Sequence, residues 1–110
     1  MKVTNDNHVK LSIVLCVRNE ADQLKECLKT LMFADELIVL LDKCTDSSKE
    51  IAQQFTNNIF EGNWEIEGAR RNAALGCAHG DWILEIDADE RVPAELAEEI
   101  RLTVETSKYD

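Results

Sequence analysis

Two stretches of the chain, Leu11 to Val17 (LSIVLCV) and Glu36 to Leu41 (ELIVLL), carry apolar side chains on both alternating faces. A strand sends successive side chains to opposite sides, so a run that is apolar throughout must be covered above and below. A small domain meets that condition by placing the strands inside a parallel sheet with helices on both faces. With 110 residues the chain is sized for one such domain built on a single core.

The segments around these runs fit the same plan. After Arg18-Asn19-Glu20, Leu24, Leu28, Leu31 and Met32 recur at three- and four-residue spacing and predict a helix. Beyond Asp42 to Asp46, a second helix runs through Ile51, Ala52 and Phe55, with Asp46 or Ser47 as its cap and Glu50 as a capping-box partner of Ser47. Asn57-Asn58 ends it, Ile59-Phe60 is a short third strand, and Glu61 to Glu67 is a loop. An Ala-rich helix from about Gly68 to Ala78 is expected to stop at Gly80. Asp81 to Asp87 (DWILEID) is read as a fourth buried strand, and Pro93 opens a last helix, Ala94 to about Thr106. Strands and helices alternate four times, which argues an α/β fold with a mostly parallel, doubly wound sheet and right-handed crossovers. Ligands of such sheets bind outside the carboxyl ends of the strands. The polar breaks Arg18–Glu20, Asp42–Asp46 and Asp87–Glu90 all fall there.

Charge narrows the function. The chain has 22 acidic and 12 basic residues, a net charge of −10, so nucleic acid is excluded as a partner on electrostatic grounds. An acidic domain can still hold an anionic substrate through a divalent cation. No run approaches the roughly 20 apolar residues of a membrane span, and the polar start, Met1 to Lys10 with His8 in it, does not resemble a signal peptide. Cys16, Cys27, Cys44 and Cys77 show neither CxxC spacing nor a His pair and read as structural thiols of a reducing, cytoplasmic compartment.

The Asp87-Ala88-Asp89 cluster is the candidate for chemistry. If the chain stays extended past Ile86, Asp87 and Asp89 face the same side. Their hard oxygens suit Mg²⁺ or Mn²⁺, which commonly bridge carboxylates to substrate phosphates. The plain alternative is a solvated acidic turn before the last helix. Asp42 ends a strand where it could accept from a nucleobase N–H, or serve as an ordinary turn residue. Asp46 is read as structural. Arg70 and Arg71 either neutralise a diphosphate or pair with Glu65 or Glu67, and only one of the two is expected to face a site. Trp64 and Trp82 read as packing residues, although Trp64, in a loop, could cover a ligand. His79 lies near a helix end, where a terminal His is commonly a dipole partner, and neither it nor His8 is assigned a role. No G-x-G-x-x-G and no G-x-x-x-x-G-K-[ST] occurs, so the usual phosphate cradles are absent.

The segments SIVLCVRNEADQLKECLKTL, ELIVLLDKCTDSSKEIA and GARRNAALGCAHGDWILEIDADE, in that order, resemble the amino-terminal half of family 2 glycosyltransferases, over about residues 10 to 106. Among these the likeness is to bacterial lipopolysaccharide-core and other cell-surface glycan transferases. The resemblance implies the GT-A fold, here of about four strands, and a nucleoside-diphosphate sugar as donor, often UDP-linked. It implies donor contacts from Val17, Arg18, Asn19, Glu20, Asp42, Arg71 and Asp87, and a Mg²⁺ or Mn²⁺ held by Asp87 and Asp89. The acceptor it implies is a glycan or lipopolysaccharide-type hydroxyl, attacking the anomeric carbon directly. Any membrane association would be peripheral, at the inner face, and would run through parts outside this chain.

Two departures stand out. Leu41-Asp42 replaces the family's frequent pair of adjacent acidic residues. Family members also run well beyond this length, and their later half supplies the acceptor site and general base, so the chain reads as an incomplete donor-binding domain. Nothing in the sequence makes Glu90 or Glu95 that base. Two other readings remain open: a non-catalytic nucleotide-sugar-binding or scaffold module, and a different α/β phosphate enzyme. Haloacid-dehalogenase-like phosphatases also place D-x-D after a strand, but after the first one.

Overall fold

A computed structural model describes residues 9–64 and 67–106. His8, Glu65 and the side chain of Glu67 lie outside the described residues, and with them the pairing of Arg70 or Arg71 to either glutamate. The described chain alternates as expected: β1 (Leu11–Val17), α1 (Ala21–Lys29), β2 (Glu36–Asp42), α2 (Ser48–Ala52), β3 (Ile59–Gly62), α3 (Glu67–Gly76), β4 (Trp82–Asp87) and α4 (Ala94–Thr106). All strand pairs are parallel and the order is β3-β2-β1-β4. The sheet therefore winds one way from β1 to β3, then reverses to set β4 on the other side of β1. The point of reversal lies between β1 and β4.

The all-apolar runs occupy the two central strands, as their patterning requires. On one face Ile13, Leu15 and Val17 of β1 and Val39 and Leu41 of β2 pack against Leu24, Cys27 and Leu28 of α1, Ala52 of α2 and Val104 of α4. On the other face Val14, Ile38 and Leu40 meet Ala74 of α3, with Cys16, Trp64, Ala73 and Cys77 around them. Each fully buried Leu, Ile or Val contributes about 1.5–3 kcal/mol, so the first face carries most of the stability. The small side chains of α3 let it lie close to the second face.

Three local expectations are corrected. β4 is an edge strand rather than a buried one: Ile86 is buried, while Ile83 stays 43% exposed and Glu85 and Asp87 are open. Only β1 flanks it, so only the side chains under α4 are covered. Gly80 does not stop α3, which ends at Gly76, and no glycine here has a positive φ. Gly80 is required by proximity instead. Its N–H donates to the Ser12 hydroxyl at 2.9 Å, and a Cβ there would lie 2.7 Å from the Ser12 nitrogen. The Ser12 hydroxyl in turn donates to Glu36 at 2.7 Å. Finally, Ser47 makes no capping bond from its side chain, so the capping box does not form.

His79 lies past the end of α3. Its N–H and Nδ1 meet the two oxygens of Glu36 at 2.9 and 2.7 Å. Burial pushes Glu36 up, but the Ser12 and His79 hydrogen bonds outweigh it and hold the carboxyl below its usual value. Among the described residues no helix is long and apolar enough to cross a membrane.

Candidate functional site

The strand register decides which polar residues share a face. Cys16 pairs with Asp87, Val14 with Glu85 and Cys16 with Leu40, which puts Cys16, Glu85, Asp87 and Asp42 on the α3 side of the sheet. Asp42 and Asp87 each end their strand, so both sit at the carboxyl edge. α3 brings Arg70 and Arg71 over the same edge. A small recess at the point of reversal is lined by Cys16, Arg70, Arg71, Glu85, Ile86 and Asp87. Both arginines therefore line it, against the expectation that only one would face a site. Their long side chains diverge: Arg70 Nη1 reaches Asp42 Oδ2 at 3.3 Å and Arg71 Nε reaches Glu85 Oε2 at 3.2 Å.

The acidic cluster closes β4. The chain turns here rather than staying extended: the Glu90 N–H donates to the Asp87 carbonyl at 2.9 Å, and the Glu90 carboxylate accepts the Asp87 N–H at 2.8 Å. Asp87 and Asp89 are both exposed because Ala88 between them is fully buried in the core. The turn is braced from two sides. Arg91 donates to the carbonyls of Ala88 and Glu90, both at 2.9 Å. The Thr30 hydroxyl, at the end of α1, accepts the Val92 N–H at 3.1 Å and donates to the Cys27 carbonyl at 2.8 Å. The Cys27 thiol contacts the Asp87 carbonyl at 3.6 Å, and burial pushes that thiol up to about 11.

The loop after β1 approaches the same turn. Burial raises the Glu20 carboxyl above its usual value, and the charges of Asp89, Asp87 and Asp22 add to the shift. Glu20, Asp87 and Asp89 thus concentrate negative potential at one place, which a cation would relieve. Among the described residues no three His, Cys, Asp or Glu side chains are arranged to hold a metal by themselves. The donor set suits an ion that completes its shell with phosphate oxygens.

The remaining candidates are placed less directly. Val17 is fully buried, backbone included, so it presents no open surface to a ligand. Arg18 is exposed. Asn19 has φ +53°, a left-handed conformation that Asn tolerates better than most residues. Its side-chain oxygen accepts the N–H groups of Thr45 and Asp46 at 2.7 and 3.2 Å, which locks the β1–α1 loop to the β2–α2 loop. The Cys44 thiol adds to the lock, donating to the Val17 carbonyl at 3.3 Å and accepting the Asn19 N–H at 3.4 Å. Asp46 is structural as expected. Its two oxygens accept the Ser48 N–H at 2.9 Å and the Ala21 N–H at 3.1 Å, at the starts of α2 and α1. Asp42 is almost fully buried, with Oδ1 accepting the Trp64 N–H at 3.1 Å. Trp64 packs on the α3-side core, its ring lying across Gly62.

Sequence reasoning left Glu85 and Cys16 out of the site and took Arg71 rather than Arg70 of the basic pair. Glu85 had a local signal, since it stands two residues before Asp87 on the same face. The pairing of Arg70 with Asp42, 28 positions away, had none.

Comparison with known proteins bears on this geometry. The sequence profile of glycosyl transferase family 2 matches residues 12–110. The chain is 37% identical over 94 residues to a TPR repeat-containing protein of Synechococcus elongatus, covering 84% of this chain and 23% of that one. It is 36% identical over 101 residues to a poly(ribitol-phosphate) beta-glucosyltransferase of Bacillus spizizenii, covering 79% of this chain and 16% of that one. The chain thus spans less than a quarter of the length of either relative. The crystal structure of S. aureus TarS residues 1–349 superposes with a TM-score of 0.68 at 23% identity, over 87% of this chain and 32% of that one, and shares its fold.

Proposed function

Since the chain belongs to glycosyl transferase family 2, we propose that it binds a nucleoside-diphosphate sugar and a divalent cation, as the donor-holding part of a transferase that glycosylates a glycan hydroxyl. One observation carries the reading: Asp87 closes β4 at the point of strand reversal and lines the same recess as Arg70 and Arg71. A carboxylate suited to a cation and two guanidinium groups suited to phosphate oxygens converge at the place where sheets of this type take ligands.

In this reading the donor lies along the carboxyl edge, from Asp42 and Trp64 at the β2 end to the turn of Asp87 and Asp89. Arg70 and Arg71 offset the charge of the diphosphate. The β1–α1 loop, Arg18 to Glu20, forms the opposite wall, held in shape by Asn19. Asp87 and Asp89 would hold Mg²⁺ or Mn²⁺, which supplies positive charge to a departing diphosphate. The sugar-accepting partner follows by analogy with the Bacillus spizizenii relative, named for glucosyl transfer to poly(ribitol-phosphate). A cell-surface glycan acceptor fits that analogy. Glu90 is an unsuitable general base because its carboxylate already caps the turn.

Calorimetry of the folded chain with UDP, GDP and their sugars, with and without Mn²⁺, tests the proposal. Binding that needs the metal and is lost in the Asp87→Asn, Asp89→Asn double variant is expected. Absence of heat with every nucleotide at saturating metal would sink it. Family membership disfavours the haloacid-dehalogenase-like alternative, and the arginine-lined recess supports binding whether or not turnover follows.

A further inference from the structure

The chain turns where its two candidate cation ligands lie, and a turn gives up the period of two that would aim them alike. Asp87 opens the turn and Asp89 stands at its corner, with the Glu90 N–H closing it onto the Asp87 carbonyl at 2.9 Å. The direction of the two carboxylates therefore has to be set by other contacts. Ala88 between them is fully buried and pins the corner to the core. The Glu90 carboxylate reaches back to accept the Asp87 N–H at 2.8 Å. Of the turn's three carboxylates, that one is committed to the backbone, while Asp87 and Asp89 stay exposed.

Arg91 is placed against its own charge. It directly follows Asp87, Asp89 and Glu90, yet its guanidinium goes to main-chain oxygens. Nη1 donates to the carbonyls of Ala88 and Glu90, both at 2.9 Å. Those carbonyls flank Asp89, so a single nitrogen with two hydrogens clamps the chain on either side of it. On charge alone a guanidinium here opposes a second cation. What it offers a cation is geometric: carboxylates already held in place lose less freedom when the ion arrives.

Resting on the cation reading above, we propose that Arg91 and Glu90 are positioning residues that build the acidic turn before a cation arrives. Arg91 acts through its grip on two carbonyls and Glu90 through its grip on the Asp87 N–H. Neither touches the ion. The turn is formed in the metal-free chain, and Asp87 and Asp89 are the residues of it that face the cation.

The test titrates Mn²⁺, alone and with UDP, into the full chain and its Arg91→Met, Arg91→Lys, Glu90→Gln and Glu90→Ala variants. Hydrogen exchange of the Asp87 and Glu90 amides is followed without metal, and urea denaturation gives the stability of each variant. Arg91→Met should bind Mn²⁺ roughly fivefold more weakly, although loss of the charge alone would tighten binding. Arg91→Lys keeps the charge and one donating nitrogen and should recover part of the loss. Glu90→Gln keeps an acceptor for the Asp87 N–H and should stay within about threefold of wild type, whereas Glu90→Ala should lose roughly tenfold. Both amides should be protected in the metal-free wild type and exchange faster in Arg91→Met and Glu90→Ala. Mn²⁺ binding in Arg91→Met as tight as in wild type, or tighter, overturns the proposal even where urea shows lost stability. So does equal loss in Glu90→Gln and Glu90→Ala, the result expected of a direct ligand. Turn amides that gain protection only on addition of Mn²⁺ overturn it too. If Arg91→Met does not fold, the Glu90 pair and the wild-type amides decide. A wild-type chain that binds Mn²⁺ through Asp87 and Asp89, yet shows any of these contrary results, overturns this proposal and leaves the cation reading intact. A wild-type chain that takes up no Mn²⁺, with UDP or without, sinks both.

Discussion

The Thr30 hydroxyl is one of the braces of the turn carrying Asp87 and Asp89, and replacing Thr30 by Val removes it while keeping the side chain's shape. In the native chain that hydroxyl accepts the Val92 N–H and donates to the Cys27 carbonyl. The carbonyl also receives the Thr30 N–H at 3.0 Å, so it stays satisfied in the variant. The Val92 N–H, on a residue only 6% exposed, does not. An unpaired buried N–H costs about 1–3 kcal/mol, so Thr30→Val should lose about 2 kcal/mol of stability. At about 4 °C per kcal/mol for a domain of this size, Tm should fall by about 8 °C. Thr30→Ser keeps the hydroxyl and should lose less than about 1 kcal/mol. Thr103→Val, whose hydroxyl only donates to the Glu99 carbonyl on an exposed face of α4, is the control and should stay within about 0.5 kcal/mol of wild type. Urea denaturation measures the stabilities. Hydrogen exchange at the Glu90 N–H, which bonds the Asp87 carbonyl, reports on the turn and should accelerate in Thr30→Val beyond its acceleration in Thr30→Ser. If the Val and Ser variants are equally stable, or the Glu90 amide exchanges alike in both, the hydroxyl does not hold the turn and the argument fails.

Gly80→Ala should cost about 1–3 kcal/mol by overpacking against Ser12, and Gly80→Asn should be no better. Rescue by Asn, measured in the same urea titration, would restore the helix-stop reading. Asp35 accepts the N–H groups of Lys10 and Leu11 at 3.1 and 3.0 Å and pairs with Arg101. Burial raises its carboxyl, but these contacts outweigh it and hold the pKa below the usual 3.8. A depressed carboxylate stabilises the fold above its unfolded pKa and loses that contribution as the pH falls through the folded one. Asp35→Asn should therefore lower stability at pH 7, on the order of 1 kcal/mol after solvent screening, and match wild type at the acid end of a pH series. A deficit independent of pH would contradict the assignment. The Cys27 thiol, fully buried and with its pKa pushed up to about 11, should resist iodoacetamide at pH 8 until the chain unfolds. Labelling of Cys27 faster than that of the half-buried Cys16 or Cys77, read by peptide mass, would refute its burial.

What the sequence disclosed follows from how local each signal is. β1 and β2 were readable because a short, almost wholly apolar run has few other places to go. α4 was readable from Pro93 at its first turn. β4 was misjudged because WILEID alternates, and alternation marks a strand with one open face. The end of α3 was misjudged because Gly80 answers to Ser12, 68 positions away, and not to its own helix. The acidic turn and the polar breaks were placed at the right edge by strand order alone. The pairing of Asp42 with Arg70 and the grip of Asn19 on Thr45 and Asp46 leave no local trace, since each exists only once the sheet has assembled.

The reversal of strand order also sets a sequence of events. Ser12 bonds Glu36 across 24 positions and Gly80 across 68. Closing the longer loop costs about 1 kcal/mol more in chain entropy, and β4 offers less apolar surface in return than β2 does. The β1–α1–β2 unit therefore gains stability first, and β4 docks late in folding. Asp87, Asp89 and the recess arrive with it. A partly folded chain can thus possess most of the core without the acidic turn and the recess.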